Sequence, residues 1–335
     1  MNFVDDAIVE EQLYPFTLTR SIADIRIGIL TIREKWLQSL GTDADITIPS
    51  NLLPSQKNIA SIKAGDELSS ETDSYYINYP WNIFEYNDWS IRQDFKLLTS
   101  GRTSQSIPAS NHIIDPENVF LEEGAKVSFS IINAATGPVY IGRNAEIMEG
   151  CVVRGPLALC EGAVLKLGTK VYGATTLGPY CTGGGEIKNS VFFGYTNKAH
   201  DGYLGDSVIG EWCNLGAGTT NSNLKNNAGE VAVWNQHTQS TISAGQKCGL
   251  LMGDYCRSSI NTSFNTGTVT GACCNIFGEG LKGSHIPSFS WCGPQTTTRY
   301  NFDKALRDIS NWKKLKKHAL QKAEIIRLKH IFDNY

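Results

Sequence analysis

The chain has 335 residues, 41% of them hydrophobic, and a net charge of -3. That length suggests about two domains, and the near balance of charge leaves no basic excess to neutralise a nucleic-acid backbone. No apolar run approaches the roughly 18 residues of a membrane span, and the acidic start MNFVDDAIVEEQ lacks the charged-then-apolar layout of an export signal. A cytoplasmic protein with neither nucleic-acid nor membrane partners is the expectation.

The nine cysteines contain no C-x-x-C pair and no Cys/His cluster at zinc-ligand spacing. They read as free structural thiols of a reducing compartment, with no metal site among them.

Taken in order, residues 13–20 look extended, and Ile22, Ile25, Ile29, Ile32 and Trp36 then fall on one helical stripe with Ser21 as N-cap. Residues 41–75 are polar, with Pro49, Pro54 and an acidic run from Asp66 to Asp73, and predict loops with one or two short strands. The aromatic-rich segment from Tyr75 to Leu98 predicts a docking helix from about Trp81, its rings anchoring packing rather than stacking on bases. A polar linker, 99–111, follows.

Coils begin near Ile113–Ile114 and become regular at residue 141. Ile141, Ile147, Val153, Leu159, Leu165, Val171 and Leu177 recur every six positions, with small residues between them. A period of six fits neither a helix nor a simple alternating strand. It fits a left-handed parallel β-helix of hexapeptide repeats, in which aliphatic side chains stack coil upon coil. The repeat reads as interrupted over 183–227, restarts at Leu204, Ile209 and Leu215, makes an excursion over 225–246, and resumes through Met252, Ile260, Val269 and Ile276. Residues 302–335 predict a helical tail with Leu306, Ile309, Trp312, Leu315 and Leu320 toward one face, capping the prism rather than lying on a membrane. The fold expected is therefore mainly β. A small or incomplete α/β domain spans 1–108, the β-helix 109–300 and a helical cap 301–335.

The interruption gathers Glu186, Lys188, Lys198, His200, Asp201, Tyr203, Asn214, Asn221 and Asn223 where a structural coil would carry aliphatic and small residues. His200 lies between an irregular turn and the restarted hexads, and an imidazole can accept a proton from an amine or hydroxyl at neutral pH. Asn214 and Asn223 follow it by fourteen and twenty-three residues, within a coil or so, and could face the same groove. Lys170, Lys188 and Lys198 could pair with a phosphate. Asn221, Asn226 and Asn227 read as turn asparagines.

The strings K-A-H-D-G-Y-L-G-D, I-G-E-W-C-N-L-G-A-G-T and N-S-N, between Lys198 and Asn223, resemble the acetyltransferase half of a bifunctional enzyme family. That family comprises the N-acetylglucosamine-1-phosphate uridyltransferase/glucosamine-1-phosphate acetyltransferases, and the likeness is greatest to a variant group of sugar nucleotidyltransferases. The resemblance, over about 113–285, implies His200 as catalytic base and Asn214 as a second catalytic residue. It implies Lys188, Tyr203, Asn223 and Lys170 as substrate-binding residues, Lys170 standing where the family has arginine. The tyrosine that follows the second asparagine in the family is Leu224 here, which bears on acceptor-sugar identity. The opening L-Y-P-F-T-L-T-R-S-I-A-D-I-R also resembles the variant group and implies Arg20 and Lys35 as nucleotide-binding residues. Acetyl-CoA as acyl donor, Mg2+ if nucleotidyl transfer is present, a sugar phosphate or nucleotide sugar, and a homotrimer are implied with it. Three functions stay open: N-acetyl transfer to an amino-sugar phosphate, nucleotidyl transfer from UTP or dTTP to a sugar 1-phosphate, and a non-catalytic trimeric scaffold.

Overall fold

The computed structural model describes all residues except 43, 66–73, 279 and 294–295. The acidic run from Asp66 to Asp73 lies outside the described residues. A parallel β-helix with three faces forms the body. The first face carries six strands from His112–Ile114 to Tyr203–Gly205, the second ten and the third nine, each pairing parallel with its counterpart one coil away except Thr297–Arg299, which closes the second face antiparallel to Ser290–Cys292. All seven hexad aliphatics lie in one buried core. On the first face Ile113, Ile132, Val153, Val171, Ile187 and Leu204 stand in register, a continuous inner ladder. Each buried aliphatic rung contributes about 1.5–3 kcal/mol.

The ladder is not broken after Cys181. Parallel pairing continues through Thr182–Gly183, Glu186–Lys188, Val191–Phe192, Asn197–Lys198 and Tyr203–Gly205. The inner positions simply shorten their spacing to four to six residues, through Gly183, Ile187, Phe192, Lys198, Leu204, Ile209, Leu215 and Asn221. Two of these rungs are polar, which is why the pattern looks interrupted in the sequence. Asn221 is thus an interior residue and not a turn asparagine.

The excursion forms an antiparallel hairpin, Ala232–Asn235 with Ser240–Ser243. Val231 and Val233 share a core with Leu13, Phe16 and Trp36 of the N-terminal region and with Val191, Val208, Leu251 and Val269 of the third face. The N-terminal region therefore covers the third face, and strands such as Leu157–Leu159 and Thr175–Leu177 are buried on both sides.

That region departs from the sequence reading in three places. Phe16–Leu18 is a 3-10 turn instead of extended chain. No helix runs from Ser21: a 3-10 turn, Ile22–Asp24, leads into a hairpin of Arg26–Ile27 with Leu30–Thr31, and the helix is Ile32–Leu40. The hairpin turns at Gly28, φ +70°, where an added Cβ would meet Asp94 at 2.5 Å. Asn87 accepts from the Gly28 N–H (2.7 Å) and Asp94 from the Ile29 N–H (2.7 Å), so partners some sixty residues away fix the turn. The isoleucines are buried on several sides, and their helical spacing is a coincidence of that burial. Thr31 and Glu34 then form a reciprocal capping box at the true helix start. Third, an unexpected helix, Gln56–Ala64, is capped by Ser55 and closed by Gly65 in the left-handed region.

The docking helix is present as Asn82–Glu85 and Asn87–Thr99. Asn87 pins it to the β-helix by donating to the Ala174 carbonyl (2.9 Å) and accepting from the Thr176 hydroxyl (3.1 Å). The neighbouring rings pack on one another, Tyr75 on Trp89 at 4.2 Å and Tyr79 on Trp81 at 4.7 Å. The tail is two helices, Phe302–Leu315 and Lys322–Asn334, separated where Lys317 takes φ +61° and Gln321 caps the second. Leu315 is exposed, contrary to its place on the expected stripe. The helices pack on the corner residues Trp212, Tyr255, Cys273 and Phe289 between the second and third faces. All nine cysteines are free and buried. Among the described residues no helix is long and apolar enough to cross a membrane.

Candidate active site

With the third face covered by the N-terminal region and one corner by the tail, the first face and the corner leading into it stay open. His200 stands at that corner, between the strands Asn197–Lys198 and Tyr203–Gly205, and is exposed. Its turn is tightly determined. Gly202 takes φ +128°, and a Cβ there would lie 2.0 Å from the Thr219 carbonyl oxygen of the next coil. The Asp201 carbonyl accepts from the Gly218 N–H at 2.9 Å.

Lys198 does not face a phosphate. Its side chain points into the prism, 1% exposed, and its ammonium donates to the carbonyls of Gly184 (2.8 Å), His200 (3.0 Å) and Gly202 (2.8 Å). Burial pushes its pKa down to about 8, opposed by Asp201.

On the outer side of the first face, Lys170, Glu186 and Tyr203 stand in register on successive coils, as do Tyr172, Lys188 and Gly205 beside them. Neighbouring strands lie about 4.8 Å apart, so these side chains share one patch. Lys170 reaches Glu186 at 3.9 Å, and the Tyr172 hydroxyl donates to Glu186 at 2.6 Å. That bond, with burial second, raises the Tyr172 pKa to about 12. The Tyr203 phenol folds back over Gly205, where a Cβ would lie 2.1 Å from its oxygen. Burial, and then the charge of Asp206, raise the pKa of Tyr203, while a hydrogen bond with Asn223 lowers it. Buried Asp206 accepts from Asn223 and from Asn189 (2.7 Å).

The structure thus brings Lys170, Lys188, Tyr203 and Asn223 onto one face that ends at His200. Asn214 lies on the second face one coil beyond Asn197, whose amide donates to it at 2.8 Å. Asp206, Asn189 and Tyr172 had no assigned role from sequence. Asp206 was legible as the end of the Y-L-G-D string, whereas Asn189 and Tyr172 carry no signal short of the strand register.

Arg20 and Lys35 lie elsewhere and are already engaged. Arg20 donates to Asp254 at 2.5 Å and lies 3.6 Å from Glu211, near the opposite corner. Lys35 is paired with buried Asp94. Among the described residues no group of three or more His, Cys, Asp or Glu side chains could hold a metal.

Residues 1–68 match the family described as sugar nucleotidyl transferase. A bifunctional sugar-1-phosphate nucleotidylyltransferase/acetyltransferase of Sulfurisphaera tokodaii is 26% identical over 291 residues, covering 82% of this chain and 61% of the relative. The bifunctional protein GlmU of Methanocaldococcus jannaschii is 28% identical over 200 residues, covering 60% of this chain and 42% of the relative. That of Methanococcus maripaludis is 28% identical over 235 residues, covering 67% and 51%. The chain therefore spans about half of the length of these curated relatives. The resemblance drawn from the His200 and Arg20 strings is borne out: the chain is similar, at modest identity, to bifunctional sugar-1-phosphate nucleotidyltransferase/acetyltransferases.

Proposed function

We propose that this protein is a CoA-dependent N-acetyltransferase acting on an amino-sugar phosphate of the glucosamine-1-phosphate type, in the cytoplasm. The observation that carries this reading is an exposed imidazole on a tightly fixed turn, bordered by the Tyr203–Asn223–Asp206 cluster and two lysines on one open face. The Sulfurisphaera tokodaii relative, named as an acetyltransferase among other things, supports it.

In this reading Lys188 binds the sugar phosphate, while Tyr203 and Asn223 hold the sugar. Lys170 adds positive charge that Glu186 partly offsets. His200 takes the proton of the amine as its nitrogen attacks the thioester carbonyl, forming the C–N bond. Asn214 and backbone N–H groups stabilise the oxyanion. Collapse breaks the C–S bond, and the proton passes from His200 to the departing CoA thiolate.

The active form is a homotrimer in this proposal. The open face and its corner expose Phe129, Ile131, Val152, Leu167 and Ile260, an apolar surface suited to a second copy. His200→Ala is expected to abolish acetyl-CoA-dependent acylation of glucosamine-1-phosphate and leave the trimer intact. Turnover retained in that variant removes the assigned base.

A second reading, nucleotidyl transfer by residues 1–108, is favoured by the family match over 1–68 and by a cavity of about 330 Å3 there, lined by Lys35, Trp89, Gln93 and Asp94. Among the described residues no group of three or more His, Cys, Asp or Glu side chains could hold Mg2+. Pyrophosphate release from UTP that survives His200→Ala would establish this activity as separate.

A further inference from the structure

We infer that Lys198 and Asn221, two polar residues in aliphatic rungs of the prism interior, are positioning residues that set the backbone carrying His200 and Tyr203. The kinetic part of the test rests on the acyl-transfer reading above; the exchange part does not.

Along the second face the inner row runs Val127, Ile147, Leu165, Gly183 and then Lys198. A lysine in such a row is costly to bury, and a hydrophobic residue of similar length would fill the same space. Gly183 stands one coil below it, and a Cβ there would meet Leu177 at 2.7 Å and Ile187 at 2.9 Å, so the core under the lysine is closely packed. The ammonium spends its three N–H groups on three carbonyls, two of them, His200 and Gly202, on the turn that displays the imidazole. The third, Gly184, ties that turn to the coil beneath.

Asn221 does the same from above. It is 4% exposed and stands in register with the core residue Phe264. Its carbonyl oxygen accepts from the Gly205 N–H at 3.0 Å, and its amide donates to the Gly205 carbonyl at 3.1 Å. Both backbone groups of the residue beneath the Tyr203 phenol are therefore held by one side chain. The segment 200–205 is gripped at each end from inside the prism, and Thr219 stands over its middle. Neither side chain touches the outer site, so their polarity is explained by what they hold. Two polar rungs flanking one six-residue segment, each bonded to its backbone, make a device for fixing that segment.

The grip is sensitive to protonation. A neutral Lys198 amine has only two N–H donors for three carbonyls. The titratable groups near it are Asp201 and His200 on its own turn. The coils on either side present Gly183–Gly185 and Gly216–Thr219, with no titratable side chain.

The test compares wild type with Lys198→Met and Asn221→Leu by hydrogen exchange, steady-state kinetics and thermal melting. Amides of 200–205 are expected to exchange about tenfold faster in each variant, with the coils of 141–177 unchanged. With acetyl-CoA and glucosamine-1-phosphate, kcat is expected to fall about 100-fold while KM for acetyl-CoA holds. The melting midpoint of Lys198→Met should not fall, and the alkaline decline of kcat near pH 8 should be missing from it. Unchanged exchange at 200–205 in both variants overturns the inference, as does a kcat within twofold of wild type in both. If wild type shows no acyl transfer, the functional reading fails and exchange alone decides this one. If Lys198→Met does not fold, the same measurements on Lys198→Gln, which keeps two N–H donors without charge, and on Asn221→Leu decide it.

Discussion

Asp254→Ala separates a structural from a nucleotide-binding role for Arg20. Asp254 and Arg20 have side chains only 3% and 9% exposed. The carboxylate accepts from Arg20 (2.5 Å), the Thr19 hydroxyl (2.7 Å) and the Glu211 N–H (2.8 Å), which joins the N-terminal segment to the β-helix. Arg20 also donates to the Phe16 carbonyl (3.1 Å) and lies over the Phe193 ring at 4.9 Å. Removing the acid leaves a buried guanidinium with Glu211 at 3.6 Å as its nearest countercharge. Breaking a buried pair in this way costs about 3–5 kcal/mol, which lowers a melting midpoint by roughly 6–20 °C. Replacing both partners, Arg20→Met with Asp254→Leu, should recover most of the loss, since an apolar pair of similar volume needs no desolvation. Thermal melts report the stability, and limited proteolysis reports whether residues 1–30 have come loose. A single variant within about 1 kcal/mol of wild type, or a double variant as unstable as the single one, would refute the reasoning. If Arg20 instead serves a phosphate, Arg20→Met weakens UTP binding without altering the melt.

Three further outcomes are expected. Burial holds Lys198 at about 8 against an ordinary 10.5, a difference worth about 3 kcal/mol. The folded chain therefore binds this proton more weakly than the unfolded one. The cost is felt in full below pH 8 and relieved as pH rises to 10.5, so the stability advantage of Lys198→Met, read by denaturant melts, should shrink across that window. Gly202→Ala should cost at least about 1–3 kcal/mol in backbone strain alone, and should depress kcat by shifting His200, because its Cβ would meet the Thr219 oxygen. A normal melt with normal kcat would contradict the assigned turn. Thr31→Ala removes the hydroxyl that accepts from the Glu34 N–H at 3.2 Å, and should lower stability by about 1 kcal/mol with no effect on acyl transfer.

The β-helix was legible because its signal is local and repeated: over 141–177 an aliphatic inner rung recurs every six residues. The helix drawn through Ile22, Ile25, Ile29 and Ile32 failed because these residues are buried for tertiary reasons. Their hairpin is fixed by Asn87 and Asp94, which no local window contains. Of the candidate site, His200, Tyr203 and Asn223 were legible through motif strings, and Lys188 and Lys170 through the wider resemblance; strand register brings Lys170, Lys188 and Tyr203 onto one face, and Asp206 ties Asn223 to it. Lys198 was misread because a lysine among polar residues looks like a surface charge. Counting rungs instead of polarity finds it, since it lies six residues after Phe192 and six before Leu204.

That position bears on why the proposed site falls where it does. A prism of stacked coils gives every turn on a given corner nearly the same backbone, so a distinctive turn needs a distinctive restraint. Outside restraints are available to the third face, through the docked N-terminal helices, and to the corner gripped by the tail. The first face has neither, and a site that must admit substrate cannot be fixed by covering it. Restraint from within is the remaining option, and it requires polar atoms in the apolar interior. Lys198 supplies them from the strand that leads into 200–205 and Asn221 from the next coil, while the regular rungs of 141–177 lie in the apolar core. On this inference the two polar rungs are what an open turn needs in place of outside cover, and their place along the chain marks the turn that is being held.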